Sequence, residues 1–226
     1  MRLFFLILMF FSSLLPSHNG IAADCFRPTK DGAPPPRITI LKTEGNRYER
    51  IVWLMEELKL PYTIQVTGLD NAKKVPTLVP MALIDGCPLF ESGFALDYIL
   101  EHYGKGLLMP PKSSDDYWNY RFYMYLSEGT LVPRILPALV LSEENPEQLF
   151  KEDLTPGVSN TFERLQRVLK FLEKDLEGRK FISGQAFSLA DIMMYVPLKA
   201  AQDTLQNAKI AAPEIPPPPR RAPVGP

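Results

Sequence analysis

The sequence predicts an α+β chain in two parts, a small unit that mixes strands with helices and then a unit of long helices alone. Three observations predict it. A β-branched alternating run is followed by an amphipathic helix and a second strand, two short apolar runs flank Asp85-Gly86, and beyond Pro110-Pro111 only helical periodicities remain. The 226 residues, 46% of them hydrophobic, can bury one generous core or two small ones, which excludes disorder throughout.

The first part is justified run by run. Arg37-Ile-Thr-Ile-Leu41 alternates and is β-branched, so it reads as a strand. From Arg47 to Leu58, Ile51, Leu54, Met55 and Leu58 recur at helical spacing, and Glu49, Arg50, Glu56 and Glu57 fall on the other faces. Pro61 ends that unit, and Tyr62 to Val66 forms a second strand. So short a β-α-β connection implies parallel strands with a right-handed crossover. Thr77 to Val79, Leu83-Ile84 and Leu89-Phe90 continue the strands, the last two around the turn dipeptide Asp85-Gly86. Ser92-Gly93 opens a helix with Ala95, Leu96, Ile99 and Leu100 on its apolar side, and it stops near Gly104 and Gly106.

The second part holds three long helices. Asp115 to Leu126 is rich in aromatic residues, and Val158 to Leu176 places Phe162, Leu165, Leu169, Leu172 and Leu176 on one face. Ser188 to Leu205 is the third, and its apolar pattern continues on both sides of Pro197, so the proline kinks it without ending it. Ser188-Leu-Ala-Asp191 has the spacing of a capping box and reads as structural.

The ends are of another character. Arg2, the apolar run Leu3 to Phe11 and the small residues before Asp24 form a secretory signal over residues 1–23, cleaved after Ala23. The apolar run is shorter than the roughly 20 residues that span a bilayer, so no stable membrane span is expected. Residues 24–36 read as a proline-rich linker and 208–226 as a proline-rich tail. The chain is accordingly assigned to the secretory pathway, secreted or lumenal. A net charge of -1 offers no basic field for nucleic acid. Cys25 and Cys87 form no CxxC pair, and two cysteines with two histidines are too few for a metal cluster. One long-range disulfide and two separate thiols both fit the composition.

The runs Arg50-Ile-Val-Trp-Leu-Met-Glu-Glu-Leu58, Lys74-Val75-Pro76-Thr-Leu, Glu91-Ser92-Gly93 and Ser188-Leu-Ala-Asp191 resemble, in order and spacing, successive landmarks of glutathione transferases. Ser127-Glu128-Gly129-Thr130-Leu-Val-Pro133 and Ala190-Asp-Ile-Met-Met194 look most like the serine-type branch of bacteria and fungi. The resemblance runs from about Ile38 to Gln206. It implies a thioredoxin-like glutathione-binding domain over residues 37–108 and an all-helical domain over 113–207. It implies conjugation of the glutathione thiolate to small apolar electrophiles, with glutathione as co-substrate, no other cofactor and no metal. It also implies a homodimer, to which the aromatic helix offers apolar surface.

The resemblance implies roles residue by residue. A cis Val75-Pro76 peptide would turn the Val75 backbone outward to pair with the cysteinyl part of glutathione. Glu91 and Ser92 would hold the two ends of the γ-glutamyl group at a helix start, where free N–H groups and the dipole suit an anion; an ordinary N-cap is the structural alternative for Ser92. Glutathione transfer needs a thiolate, since the neutral thiol is a poor nucleophile. In the serine-type motif a serine four residues before Arg50 donates to that sulfur, and Asn46 stands there in this chain. An amide N–H₂ can donate to a thiolate, so Asn46 is the candidate catalytic residue, with an N-cap role equally open and Thr43 a substitute donor.

Two further departures bear on function. The segment between Val66 and Val75 is too short for the helix that relatives carry there. Lys73 or Lys74 is the candidate cationic contact to the glycyl carboxylate, and Lys74 joins Val75, Glu91 and Ser92 as the glutathione-binding set. After about Gln206, Pro216-Pro-Pro-Pro-Arg-Arg replaces helix-forming sequence. The alternative is a non-catalytic binding or interaction protein that keeps the fold. A glutathione-dependent thiol reductase would need a cysteine near Thr43 to Asn46, and none is there.

Overall fold

The computed structural model describes residues 36–42, 47–66, 81–144 and 156–208. The signal, Cys25, most of the linker, Thr43, Asn46, Lys73, Lys74, Val75, the Thr77 to Val79 run and nearly all of the tail lie outside the described residues. The first part contains β1 (Ile38–Lys42), α1 (Tyr48–Leu58), β2 (Thr63–Val66), β3 (Ala82–Ile84), β4 (Cys87–Leu89) and α2 (Ser92–Tyr103). The sheet has the order β2-β1-β3-β4, with β1 parallel to β2 and antiparallel to β3, and β3 antiparallel to β4. Val66 pairs with Lys42 and Ala82 with Ile40, so β2 ends and β3 begins at the same end of the sheet. The chain therefore needs no helix to carry it back along the strands between them.

Local chemistry fixes the turns. Asp85 and Gly86 both have positive φ, 50° and 86°, the pairing that a type I′ hairpin requires. The Asp85 carboxylate also accepts from the Arg37 N–H at 3.0 Å, which ties the hairpin to the start of β1. At the end of α1, Lys59 turns left-handed, and Leu60 N–H bonds the Met55 carbonyl at 3.0 Å. That is a Schellman closure, with Pro61 beyond it to prevent continuation.

The helical part contains α3 (Asp115–Leu126), a π-helical turn (Ser127–Leu131), α4 (Val132–Glu144), α5 (Pro156–Asp175) and α6 (Leu189–Asn207). α4 is an addition to the three helices expected, hidden in the sequence by Pro133 and Pro137. Pro133 has no N–H for the Gly129 carbonyl and its ring crowds that carbonyl, so the chain widens into a π turn there. Pro197 lies inside a continuous α6, as its flanking pattern required. One cluster of buried residues runs from Ile40 and Ile51 through Leu96 and Tyr123 to Met193 and Leu205. The sheet and the helices therefore share a core.

The aromatic helix divides its side chains. Tyr120 and Tyr123 are buried in that core, whereas Trp118 and Tyr125 are 70% and 67% exposed, with Phe122 beside them and Phe171 of α5 edge-on to Phe122. Burial lifts both buried tyrosines well above the usual phenol range, and Tyr123 donates to Asp175, which also pairs with Arg179.

Candidate glutathione site at the start of helix α2

Glu91 and Ser92 stand together where the hairpin hands over to α2. Glu91 is the N-cap residue, held at φ 59° and ψ 113°, a conformation that costs a non-glycine residue on the order of 1–3 kcal/mol and persists only where surrounding structure imposes it. Its carbonyl accepts the Ala95 N–H at 2.9 Å and so starts the helix. Ser92 is the first helical residue, and the Glu91 side chain makes no capping bond. An N-cap role for Ser92 is thus excluded by position, since the cap lies one residue earlier.

The Ser92 hydroxyl has another partner. Arg50, on α1 and wholly buried, donates from Nη1 to Ser92 Oγ at 2.8 Å and to Glu128 Oε1 at 2.5 Å, and from Nη2 to Ser127 Oγ at 3.2 Å. The Ser127 hydroxyl in turn donates to the Met193 carbonyl at 3.0 Å, and Arg47 adds a second cation to Glu128 at 3.1 Å. Four elements, α1, α2, the π turn and α6, therefore meet at one guanidinium. Burial pulls the Arg50 pKa below its ordinary value, and the Glu128 carboxylate opposes that shift. Arg50 Nε is buried without a partner among the described residues.

This corrects the placing of Arg50, with Glu49, Glu56 and Glu57, on faces other than the apolar one, since Arg50 is buried. Arg50 precedes Leu54 by four residues and so shares its buried face, and its charge is met by a carboxylate 78 positions away in sequence. Spacing along α1 alone could not supply that partner. The available signal was an arginine in line with a buried leucine, with Ser127-Glu128 present as an unexplained polar pair.

The arrangement has definite chemical capacity. A hydroxyl has one proton, and with Arg50 occupying a lone pair of Ser92 Oγ that proton remains to be donated. The positive N-terminal end of α2 adds to it. Gly93 lets α6 approach, since a Cβ there would come within 3.1 Å of Met193 Cε. The start of α2 is thus a rigid, positively biased corner suited to a carboxylate. Asn46, Lys74 and Val75 lie outside the described residues, and the N-cap position of α1 is taken by Arg47. Among the described residues there is no group of three or more potential metal ligands, and no helix is long and apolar enough to cross a membrane.

Comparison with known proteins agrees with the fold. Residues 130–216 match the model for the C-terminal domain of glutathione S-transferases. Glutathione S-transferase U9 of Arabidopsis thaliana is 30% identical over 181 residues, covering 75% of this chain and 73% of its own length. Glutathione S-transferase 3 of Schizosaccharomyces pombe is 26% identical over 180 residues, covering 73% and 74%. A solved glutathione S-transferase from Actinobacillus pleuropneumoniae has the same fold, with a TM-score of 0.62 at 24% identity over 76% of this chain and 81% of its own. So does a glutathione transferase of Phanerochaete chrysosporium solved with oxidised glutathione, with a TM-score of 0.59 at 18% identity over 78% and 83%.

Proposed function

The chain belongs to the glutathione S-transferase family, and from that membership we propose that it conjugates the glutathione thiolate to small apolar electrophiles, as a member of the serine-type branch. The observation that carries the reading is the corner at α2, where strained Glu91 precedes a helix start whose first hydroxyl is gripped by Arg50. In this reading the γ-glutamyl group binds at Glu91 and Ser92, the Val75 backbone pairs with the cysteinyl part, Lys74 meets the glycyl carboxylate, and Asn46 donates to the sulfur. Lowering the thiol pKa by one unit stabilises the thiolate by about 1.4 kcal/mol, and no metal or prosthetic group takes part.

The test separates sulfur chemistry from binding. Asn46→Ala should raise the pKa of bound glutathione and slow conjugation about fivefold at neutral pH, the effect of one hydrogen bond worth about 1 kcal/mol, with affinity nearly intact. Asn46→Ser should retain or raise activity, and Ser92→Ala should weaken binding instead. Thiolate absorbance against pH and calorimetric titration with glutathione report the two effects separately. If Asn46→Ala leaves the thiol pKa unchanged, the catalytic assignment fails. The second reading, a non-catalytic binding protein, is favoured by the amide at the position where the motif has a serine. It requires that glutathione bind without turnover.

Two further parts of the proposal concern the whole protein. It is read as a secretory-pathway protein and as a homodimer joined through the exposed face of α3, where Trp118, Phe122 and Tyr125 present apolar area to a partner. The exported chain should begin at Asp24 by N-terminal sequencing and scatter light as two chains. A chain starting at Met1, or a monomer across the micromolar range, would refute the respective half.

A further inference from the structure

We propose that the outer face of α5 is a peripheral docking surface for anionic lipid, with Arg164, Arg167, Lys170 and Lys174 meeting the headgroups and Phe171 entering between them. The proposal does not depend on transferase activity.

The sequence of α5 separates two faces. Phe162, Leu165, Leu169, Leu172 and Leu176 are buried in the core, whereas Arg164, Arg167, Lys170, Phe171 and Lys174 are exposed. Residues 164, 167, 171 and 174 are spaced three and four apart, so they form one line along the helix, about 15 Å long at 1.5 Å per residue. Phe171 lies within that line, with Arg167 four positions before it and Lys174 three after, and it is 47% exposed. Edge-on to it stands Phe122 of α3, 46% exposed, so the apolar spot spans two helices.

The charges are available to a partner. None of the four cations enters an ion pair among the described residues. Of the neighbouring acids, Asp175 is taken up by Tyr123 and Arg179, and Glu163 stands at the margin of the line. The chain as a whole has a net charge of -1, so the stripe is a local concentration of positive charge. Its shape fits a plane, since the outer side of a helix is convex. Lysine and arginine can hold their charged ends at lipid phosphates while their apolar stems, and the ring between them, sink to the boundary of headgroups and acyl chains. A soluble polysulfate offers the same anions but no apolar layer to receive Phe171. α5 contributes no residue to the Arg50 cluster, so lipid binding and glutathione binding can be measured apart.

The full chain is centrifuged with vesicles of phosphatidylcholine alone and with vesicles that also contain phosphatidylserine. It should pellet only with the second kind, and added salt should release it, because the cations are exposed to screening. Arg164→Gln combined with Arg167→Gln should weaken binding about thirtyfold, about fivefold for each cation. Phe171→Ala should weaken it about tenfold, and neither variant should move the melting temperature, since the altered side chains lie on the surface. Equal pelleting with both vesicles, pelleting with neither, or no loss in the double variant would each overturn the proposal. Vesicle binding that Phe171→Ala leaves untouched and heparin abolishes would assign the stripe to soluble polyanions, and would overturn the lipid reading as well.

Discussion

Glu128→Ala is expected to destabilise the protein by about 3 kcal/mol, because it leaves the Arg50 guanidinium buried with only two serine hydroxyls to receive its charge. The figure is the low end for a broken buried pair, since Glu128 is part-exposed and water can enter behind it. Arg50→Met should cost less. It removes the buried charge itself, and the carboxylate left behind keeps Arg47 and solvent. The double change Arg50→Met with Glu128→Leu should recover much of the single loss, as replacing a buried pair by apolar groups of similar volume often does. Urea midpoints at constant m-value give the three numbers. If Arg50→Met proves the costlier single change, the cluster is held by the arginine's packing and the argument from charge fails. Glutathione affinity should fall in Arg50→Met, which removes the donor to Ser92 and frees its hydroxyl to turn.

Asp191→Ala carries the second large effect, about 4 kcal/mol. Asp191 is 1% exposed, and its two oxygens serve different segments. Oδ2 accepts the Ser188 N–H at 2.8 Å and the Ser188 hydroxyl at 3.1 Å, while Oδ1 accepts the Ile182 N–H at 2.9 Å. Alanine leaves two buried backbone donors unmet at about 1–3 kcal/mol each, beyond the cap itself. Burial raises the Asp191 pKa and these donors pull it down, with burial the larger influence. Asp191→Asn keeps one acceptor and should lose about half as much. A loss under 1 kcal/mol for alanine, measured by the same unfolding curves, would mean that water replaces the carboxylate.

The sequence by itself determined the features that depend on neighbours along the chain. The Asp85-Gly86 turn, the amphipathic face of α1, the capping box at Ser188 and the helix crossing Pro197 are all set by interactions within a few residues. Periodicity and turn chemistry report those interactions directly. The order of the landmarks around Lys74, Glu91 and Ser188 carries the family resemblance in the same way. α4 escaped because Pro133 and Pro137 signal a break, whereas the π turn absorbs the first and the second is tolerated within the helix. Only the tertiary structure decided what Arg50 and Ser92 do. Arg50 shares a helix with Leu54, but the carboxylate that lets it be buried arrives from the far side of the fold, and Ser92 gains its partner by the same approach. An ion pair depends on distance in space, and the fold alone brings residues 50, 92 and 128 within hydrogen-bonding reach.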